Sequence, residues 1–532
     1  MGFDTEAAYP DDPALARIVR GADTSCPAVR FTIPDSREGT TPPTAMRAHN
    51  SLAWASPEIT FWQCAASCPA GWVESLRLLI DSCVDGTAPV EFNYDLVRPA
   101  GEPIRGFGGV ASGPEPLREL HEQVRATLER NRGRPLSVTA IVDIMNFIGK
   151  CVVSGNVRQT AEIAFGRADS DEYIDLKNYA LHPHRAAYGW TSNNSLFCTP
   201  GQVDYARICE RVRLNGEPGF FFLDNARRFS RMNGVPDGKD WRAGGGNPCL
   251  EQTLESYELC CLVETFPNNH ATLAEFLDTL EVALEYAKTV TLGLPHWAES
   301  AEVVARNRRI GCSMSGLAQF ISQRGLEALR QWCEDGYAAL QAVDERCGSS
   351  SSASLSGNGR ALTKAFATCS KRGRAARLAA QFGVPRSIKL TSIKPSGTVS
   401  LLAGGRRRAH RKPAAWPGAD VRPYRMGRSP RPATPGMHYP ESRFCIRRVR
   451  LGKTSALAKQ LREAGYPMED VVGDSRSVAV EFPVDMGANI RSLDAVPMWE
   501  QLALAAFLQR HWSDNQVRRL PATERDAVGV VA

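Results

Sequence analysis

The run Phe220-Phe221-Phe222-Leu223 constrains the fold of this chain more than any other stretch. Large apolar residues in succession, with no polar alternate, describe a strand covered on both faces. Such a strand needs helices on either side, and the sequence supplies amphipathic stripes for them. Ile141, Ile144, Met145 and Ile148 form one stripe behind a candidate N-cap at Ser137. Leu273, Phe276, Leu280, Leu284 and Ala287 form another behind the capping box Thr272-x-x-Glu275. A third helix is expected from Pro116 to about Asn131, with Pro at a first-turn position where its missing N–H costs nothing. Helices alternating with apolar strands predict an α/β architecture with parallel strands. The 532 residues allow several domains, or one barrel with large insertions.

Several function classes drop out on composition. No apolar run approaches the roughly 18 residues of a membrane span, so no membrane partner is expected. The start Met1-Gly2-Phe3-Asp4 lacks a basic region followed by an apolar one, so no signal peptide is expected. The 15 cysteines are odd in number and scattered, which suits free thiols in a reducing, cytoplasmic setting. The net charge of +6 hints at nucleic acid until it is located. Residues 405–433 hold nine Lys/Arg and one acid, a net +8, so the remainder of the chain is mildly acidic. The basic character belongs to one Pro-rich segment, and direct nucleic-acid binding is not expected.

The chemistry gathers in Gly246-Asn247-Pro248-Cys249-Leu250-Glu251, with Cys260 close behind. Asn247, Cys249 and Glu251 alternate, so an extended segment would turn all three to one side. An amide, a thiol and an acid at one point form a chemical kit rather than a packing pattern. Cys260 adds a second sulfur that meets the first if the chain folds back. Lys394-Pro395-Ser396-Gly397-Thr398-Val399-Ser400 follows a strand, and its hydroxyls and N–H groups around a glycine suit phosphate oxygens. Gly106-Phe107-Gly108-Gly109 precedes a helix and is either a phosphate loop or a turn. Trp190-Thr191-Ser192-Asn193-Asn194-Ser195 reads as a polar loop, either a simple turn or one that faces a ligand. Cys64 and Cys68 lack a second ligand pair at metal-site spacing, so no metal site is expected.

Ten such blocks, collinear from about residue 31 to 516, resemble the adenosylcobalamin-dependent (class II) ribonucleotide reductases. The closer likeness is to their monomeric ribonucleoside-triphosphate type. The blocks include Arg37-Glu38-Gly39, Gly106-Phe107-Gly108-Gly109, Gly155-Asn156-Val157-Arg158, Ser192-Asn193-Asn194-Ser195, Asn247-Pro248-Cys249, Arg308-Arg309-Ile310-Gly311, Lys394 to Thr398 and Trp512-Ser513-Asp514-Asn515. The resemblance implies a partial ten-stranded α/β barrel of the ribonucleotide reductase and glycyl-radical type, with the Cys249 loop through its centre. It implies adenosylcobalamin as cofactor, a ribonucleoside triphosphate as substrate, a deoxynucleotide effector and a thioredoxin-like reductant. It gives Cys249 the thiyl radical, Glu251 the general base, Asn247 a hydrogen bond to the sugar, and Cys260 one half of a redox pair. Ser396, Gly397, Thr398 and Ser400, with Ser192 and Asn193, would bind substrate, and Asn156 and Arg158 would lie in the effector loop.

The chain departs from that pattern in four places. Leu250 stands where the family has glycine; either its side chain crowds the loop or the loop keeps φ negative. The family's N-terminal part, with the other redox cysteine and most of the effector region, has no counterpart. Neither has its C-terminal tail with the shuttle cysteines. Irregular segments at about 40–70, 348–374 and 405–433 interrupt a catalytic barrel expected over 31–516, between a weakly patterned stretch 1–30 and a polar tail 517–532. Two rival readings follow: a catalytically inactive nucleotide-binding fragment, and a class I large subunit that needs a separate radical-generating subunit.

Overall fold

The computed structural model describes residues 2–4, 19–22, 29–32, 68–104, 111–154, 160–348, 384–396, 399–403, 432–453, 456–471, 474–487 and 489–516. Two compact units divide between Leu223 and Asp224.

The first unit holds β1 (Gly2–Asp4), β2 (Val29–Thr32), α1 (Cys68–Asp85), β3 (Val90–Asn93), α2 (Glu115–Arg130), α3 (Val138–Val153), β4 (Glu162–Arg167), β5 (Ser192–Phe197), α4 (Tyr205–Asn215) and β6 (Gly219–Phe221). The predicted helices form where their stripes fall. Ser137 caps α3, its hydroxyl accepting from the Ala140 N–H at 3.1 Å. One core joins Leu79 and Cys83 of α1, Leu117, Val124 and Leu128 of α2, and Phe147 and Cys151 of α3. The opposite side of α3 places Val142 against Ala164 of β4 and Leu196 of β5.

Four strands pair in parallel in the order β1-β4-β5-β6. Here two expectations need correcting. The Phe220 run forms a parallel strand, but at the sheet's edge among the described residues, with Phe221 buried and Phe220 half-buried. Burial on both faces falls on the inner strand β4, where every residue from Glu162 to Gly166 is buried. The stretch Ser192–Phe197 is no polar loop: it is the inner strand β5, with Ser192, Asn194 and Ser195 buried.

The second unit opens with a hairpin of β7 (Gly245–Gly246) and β8 (Thr253–Leu254), then β9 (Leu262–Thr265), α5 (Leu273–Val290), α6 (Ala298–Asn307), β10 (Gly311–Met314) and α7 (Leu317–Gly348), broken at Gly325. After it come β11 (Ser392–Ile393), α8 (Val399–Leu402), β12 (Phe444–Gly452), α9 (Ala456–Glu463), β13 (Met468–Val471), β14 (Asp474–Asp485), α10 (Met498–His511) and β15 (Asn515–Gln516). The capping box forms at α5, where Thr272 Oγ1 accepts from Glu275 N at 3.3 Å. Phe276, Leu280 and Leu284 of α5 pack with Cys312 and Met314 of β10, Trp332 and Leu340 of α7, and Trp512. β9 pairs in parallel with β10, Cys312 bridges to Thr391 beside β11, and β11 pairs in parallel with β15. The unit therefore carries a run of parallel strands, though no sheet among the described residues closes into a ring. β14 is the centre of a separate antiparallel sheet, β12-β14-β13. Of the three irregular segments, residues 68–70 begin α1 and 432–433 are ordered around a bond from Ala433 N to Ser400 O; nearly all the rest lies outside the described residues.

Candidate active site

The cysteine segment is not the extended run the alternation predicted. It is a β-turn at the tip of the β7–β8 hairpin. Gly246 pairs with Thr253, and Asn247 N donates to Gln252 O at 3.1 Å. Gln252 N donates back to Asn247 Oδ1 at 3.0 Å, and Leu250 N closes the turn on Asn247 O at 2.7 Å. Pro248 takes the second position of that turn, where its fixed φ fits. Leu250 follows with φ 55°, in the left-handed region. The backbone thus keeps a conformation that glycine holds freely and a leucine holds at about 1–2 kcal/mol. The reading with negative φ is excluded. Crowding is avoided another way: Leu250 turns inward, 4% exposed, to a place where a Cβ on Gly246 would lie 2.7 Å from its Cδ2. A Cβ there would also lie 2.8 Å from Gln252 O, so the facing backbone as well as Leu250 favours glycine at 246.

The turn brings the three groups within electrostatic reach of one another without turning them all to one side. Asn247 and Glu251 are buried and hydrogen-bonded to each other through their side chains, and Cys249 is exposed. Cys260, also exposed, lies two residues before β9 and close enough for the two sulfurs to act on each other. Desolvation, followed by the neighbouring Glu251 carboxylate, pushes both the Cys249 and the Cys260 thiols up to about 11. Burial also raises Glu251, opposed by its hydrogen bonds and by Lys394. One Glu251 oxygen, Oε2, is buried without a hydrogen-bond partner among the described residues.

The chemistry follows from these environments. Near neutral pH both sulfurs are S–H, which suits them to give up a hydrogen atom and makes them poor thiolate nucleophiles. A carboxyl group raised by burial, with an open oxygen, suits proton transfer to or from a bound group. Lys394 is the residue sequence reasoning passed over. It follows β11, and its charge acts on Cys249, Cys260 and Glu251 together. It was visible beside Pro395-Ser396, but no local pattern ties it to a turn more than a hundred residues earlier.

The remaining predicted residues fare differently. Ser396 Oγ donates to Glu264 Oε2 at 2.8 Å and accepts from Ser400 N at 3.0 Å, and Ser400 Oγ donates to Ser396 O at 3.1 Å. Gly397 and Thr398 lie outside the described residues, as do Asn156, Arg158, Cys64 and the Gly106–Gly109 block. In the first unit, Ser192 Oγ accepts from Asn146 Nδ2 at 2.9 Å and donates to Asn194 Oδ1 at 3.0 Å, so its hydroxyl serves an internal network. Asn193, next along β5, is exposed. Cys68 opens α1.

Comparison with known proteins places the chain among its relatives. The family described as "B12-dependent ribonucleotide reductase, insertion domain" matches residues 43–128. The crystal structure of a B12-dependent (class II) ribonucleotide reductase superposes with a TM-score of 0.69 at 26% identity, covering 100% of this chain and 66% of that one. The chain is a relative of the B12-dependent, class II ribonucleotide reductases and shares their α/β barrel fold over the matched length. Within that class it is 51% identical over 450 residues to a probable adenosylcobalamin-dependent ribonucleoside-triphosphate reductase of Dictyostelium discoideum, covering 84% of this chain and 51% of that protein. It is 46% identical over 518 residues to the adenosylcobalamin-dependent ribonucleoside-triphosphate reductase of Euglena gracilis, covering 97% and 58%. The chain thus spans just over half the length of these two relatives.

Proposed function

We propose that this chain forms the central part of an adenosylcobalamin-dependent reductase that converts ribonucleoside triphosphates to 2′-deoxyribonucleoside triphosphates for DNA synthesis. The hairpin tip carries the proposal. It combines an exposed thiol held as S–H, a buried acid with an open oxygen, an amide bonded to that acid, and a second thiol within electrostatic reach. When bound, adenosylcobalamin supplies a carbon-centred radical by homolysis of its cobalt–carbon bond. Cys249 fits that group because it is accessible and carries the hydrogen atom such a radical takes. Among the described residues no cluster of His, Cys, Asp or Glu is placed to hold a metal ion, so the cobalt would arrive already held in its corrin.

The roles then follow the family resemblance. The Cys249 thiyl takes the 3′ hydrogen of the ribose, Glu251 accepts the 3′-hydroxyl proton, and Asn247 holds the sugar. The 2′ hydroxyl leaves as water. Cys260 gives one of the two thiol hydrogens that restore the deoxyribose, and the second thiol is assigned to a part of the longer relatives outside the matched length. The 396–400 loop would take substrate phosphate; Ser192 and Asn193 have a substrate-binding role from the resemblance alone. Asn156 and Arg158 would relay the deoxynucleotide effector, and a thioredoxin-like protein would renew the thiols. No helix of the described residues is long and apolar enough to cross a membrane, and we place the protein in the cytoplasm.

One observation favours a second reading, a nucleotide-binding fragment without turnover. Among the described residues Cys260 acts on Cys249 and Cys261 acts on Cys260, and the resemblance gives none of these the role of the family's other redox cysteine. Incubation with adenosylcobalamin, a ribonucleoside triphosphate and a dithiol separates the readings. Deoxynucleotide formation supports the reductase; hydrogen exchange at the cofactor's 5′ carbon without it means that the radical half works without the reducing half. Absence of both supports the fragment.

A further inference from the structure

We infer that Arg309 is a positioning residue that sets the distance between Cys249 and Cys260. Its relevance to catalysis rests on the reductase reading, in which both thiols address one ribose.

Arg309 precedes β10, and its guanidinium is almost wholly buried. Its Nη1 and Nη2 donate to the two oxygens of Asp240 at 2.8 and 2.6 Å, a bidentate fork on the segment that enters the hairpin. Nη1 also donates to Thr253 Oγ1 at 2.9 Å, on the strand that leaves the Cys249 turn. On its other edge, Nε stands 3.0 Å from Glu258 Oε1, two residues before Cys260. One flat, rigid group therefore touches both arms of the hairpin and the loop that delivers the second thiol. The contacts are reinforced around it. Thr253 Oγ1 bonds Asp240 directly, and Lys389 Nζ lies 3.4 Å from Asp240. Asn307 Nδ2 donates to Glu258 Oε1 at 2.9 Å, and the Glu258 loop closes on Glu255 O at 3.1 Å around Tyr257, whose φ is 62°. Just beyond Arg309, a Cβ on Gly311 would fall 2.3 Å from Gln252 Nε2, so the backbone of β10 lies directly against the hairpin.

A buried ion cluster of this kind contributes little stability that packed apolar residues could not supply. What it adds is geometry, because a guanidinium presents its donors in one plane at fixed angles, which an ammonium cannot copy. Removing the Glu258 charge should loosen the hold of Arg309 on the Cys260 loop while leaving the hairpin fork intact. Glu258→Gln makes that change, and Arg309→Lys removes the fork as well.

The test is cross-linking by dibromobimane, a reagent with two thiol-reactive arms, mapped by peptide mass spectrometry on the full chain. The unaltered chain should give a Cys249–Cys260 cross-link, and Cys249→Ser should abolish it. Glu258→Gln should reduce the yield several-fold at unchanged far-ultraviolet circular dichroism. Where turnover is measurable, kcat should fall about tenfold with KM unchanged, since displacements near 1 Å are worth up to about 10²-fold. Arg309→Lys should lower the yield at least as far; if that variant does not fold, Glu258→Gln decides alone. A Glu258→Gln chain that cross-links at the unaltered yield overturns the inference, as does failure of the unaltered chain to cross-link this pair. Cross-linking needs no nucleotide and no cofactor, so its failure is distinct from a failure of the reductase reading.

Discussion

Replacing Leu250 by alanine and, separately, by glycine tests the backbone of the cysteine turn. Leu250 is 4% exposed with φ 55°. Truncation to alanine loses the buried side chain, about 2–5 kcal/mol, and keeps the left-handed backbone. Truncation to glycine loses about 0.8 kcal/mol more for the last buried carbon, and about 0.5–1 kcal/mol more through unfolded-state freedom. It also releases the strain of about 1–2 kcal/mol that a Cβ imposes at this φ. These differences nearly cancel, so the glycine variant should be about as stable as the alanine variant. With negative φ there is no strain to release, and glycine would fall about 1.5 kcal/mol below alanine. Urea unfolding followed by tryptophan fluorescence reads the difference from midpoints at a common slope. A glycine variant less stable than alanine by 1.5 kcal/mol or more would refute the left-handed assignment. In either variant the vacated space over Gly246 should also loosen the turn, read as faster alkylation of Cys249.

Other outcomes follow from the same geometry. Cys249→Ser should abolish turnover completely, because an alcohol O–H is a far stronger bond than a thiol S–H; deoxynucleotide formation by that variant would contradict the role of Cys249. Glu251→Gln removes a carboxylate that raises the Cys249 thiol, so the alkylation profile of Cys249, centred near pH 11, should move to lower pH; an unmoved or upward-shifted midpoint would count against it. His121 is buried between Ser75 Oγ at 3.0 Å and the Tyr94 hydroxyl at 2.8 Å, and burial lowers it to about 4. A base lowered on folding is held neutral, so its contribution is complete above about pH 6.5 and is lost as pH falls toward 4. Hydrogen exchange in α2 should accelerate across that window, and a flat profile would show that His121 does not govern it.

The helices were legible because their signals are local. Ser137 and Thr272 cap the helices their sequences announce, and the stripe Phe276, Leu280, Leu284, Ala287 is buried as spaced. Strands were harder, since burial depends on neighbours distant in sequence. The Phe220 run is apolar yet borders its sheet, whereas β4, which begins with the buried Glu162, is enclosed. Ser192-Asn193-Asn194-Ser195 reads as a loop because the partners that let it lie in a strand are invisible locally: Ser192 bonds Asn146, 46 residues earlier, and in turn bonds Asn194. At the site, Asn247, Cys249 and Glu251 were identified by residue type, but the geometry that groups them was not. Alternation suggested a strand, while Pro248 and the closing bond from Leu250 to Asn247 make a turn. Lys394 and Arg309 act across long sequence separations, where no spacing rule reaches.

The bond from Ser396 to Glu264 bears on how an anion could be received. A hydroxyl carries one hydrogen, and at Ser396 that hydrogen already belongs to a carboxylate, while Ser400 N occupies a lone pair of the same oxygen. A phosphate that needed the Ser396 proton would be competing with a resident anion for it, and a bond to such a charged acceptor is worth about 1.5–3 kcal/mol. Glu264 also holds Ser315, whose oxygen accepts from Gly436 N at 2.8 Å. Reassigning one proton would therefore be felt along a relay from the 396–400 loop through β9 to the segment at Gly436. At Ser396, then, a ligand that takes the hydroxyl proton displaces Glu264 from it.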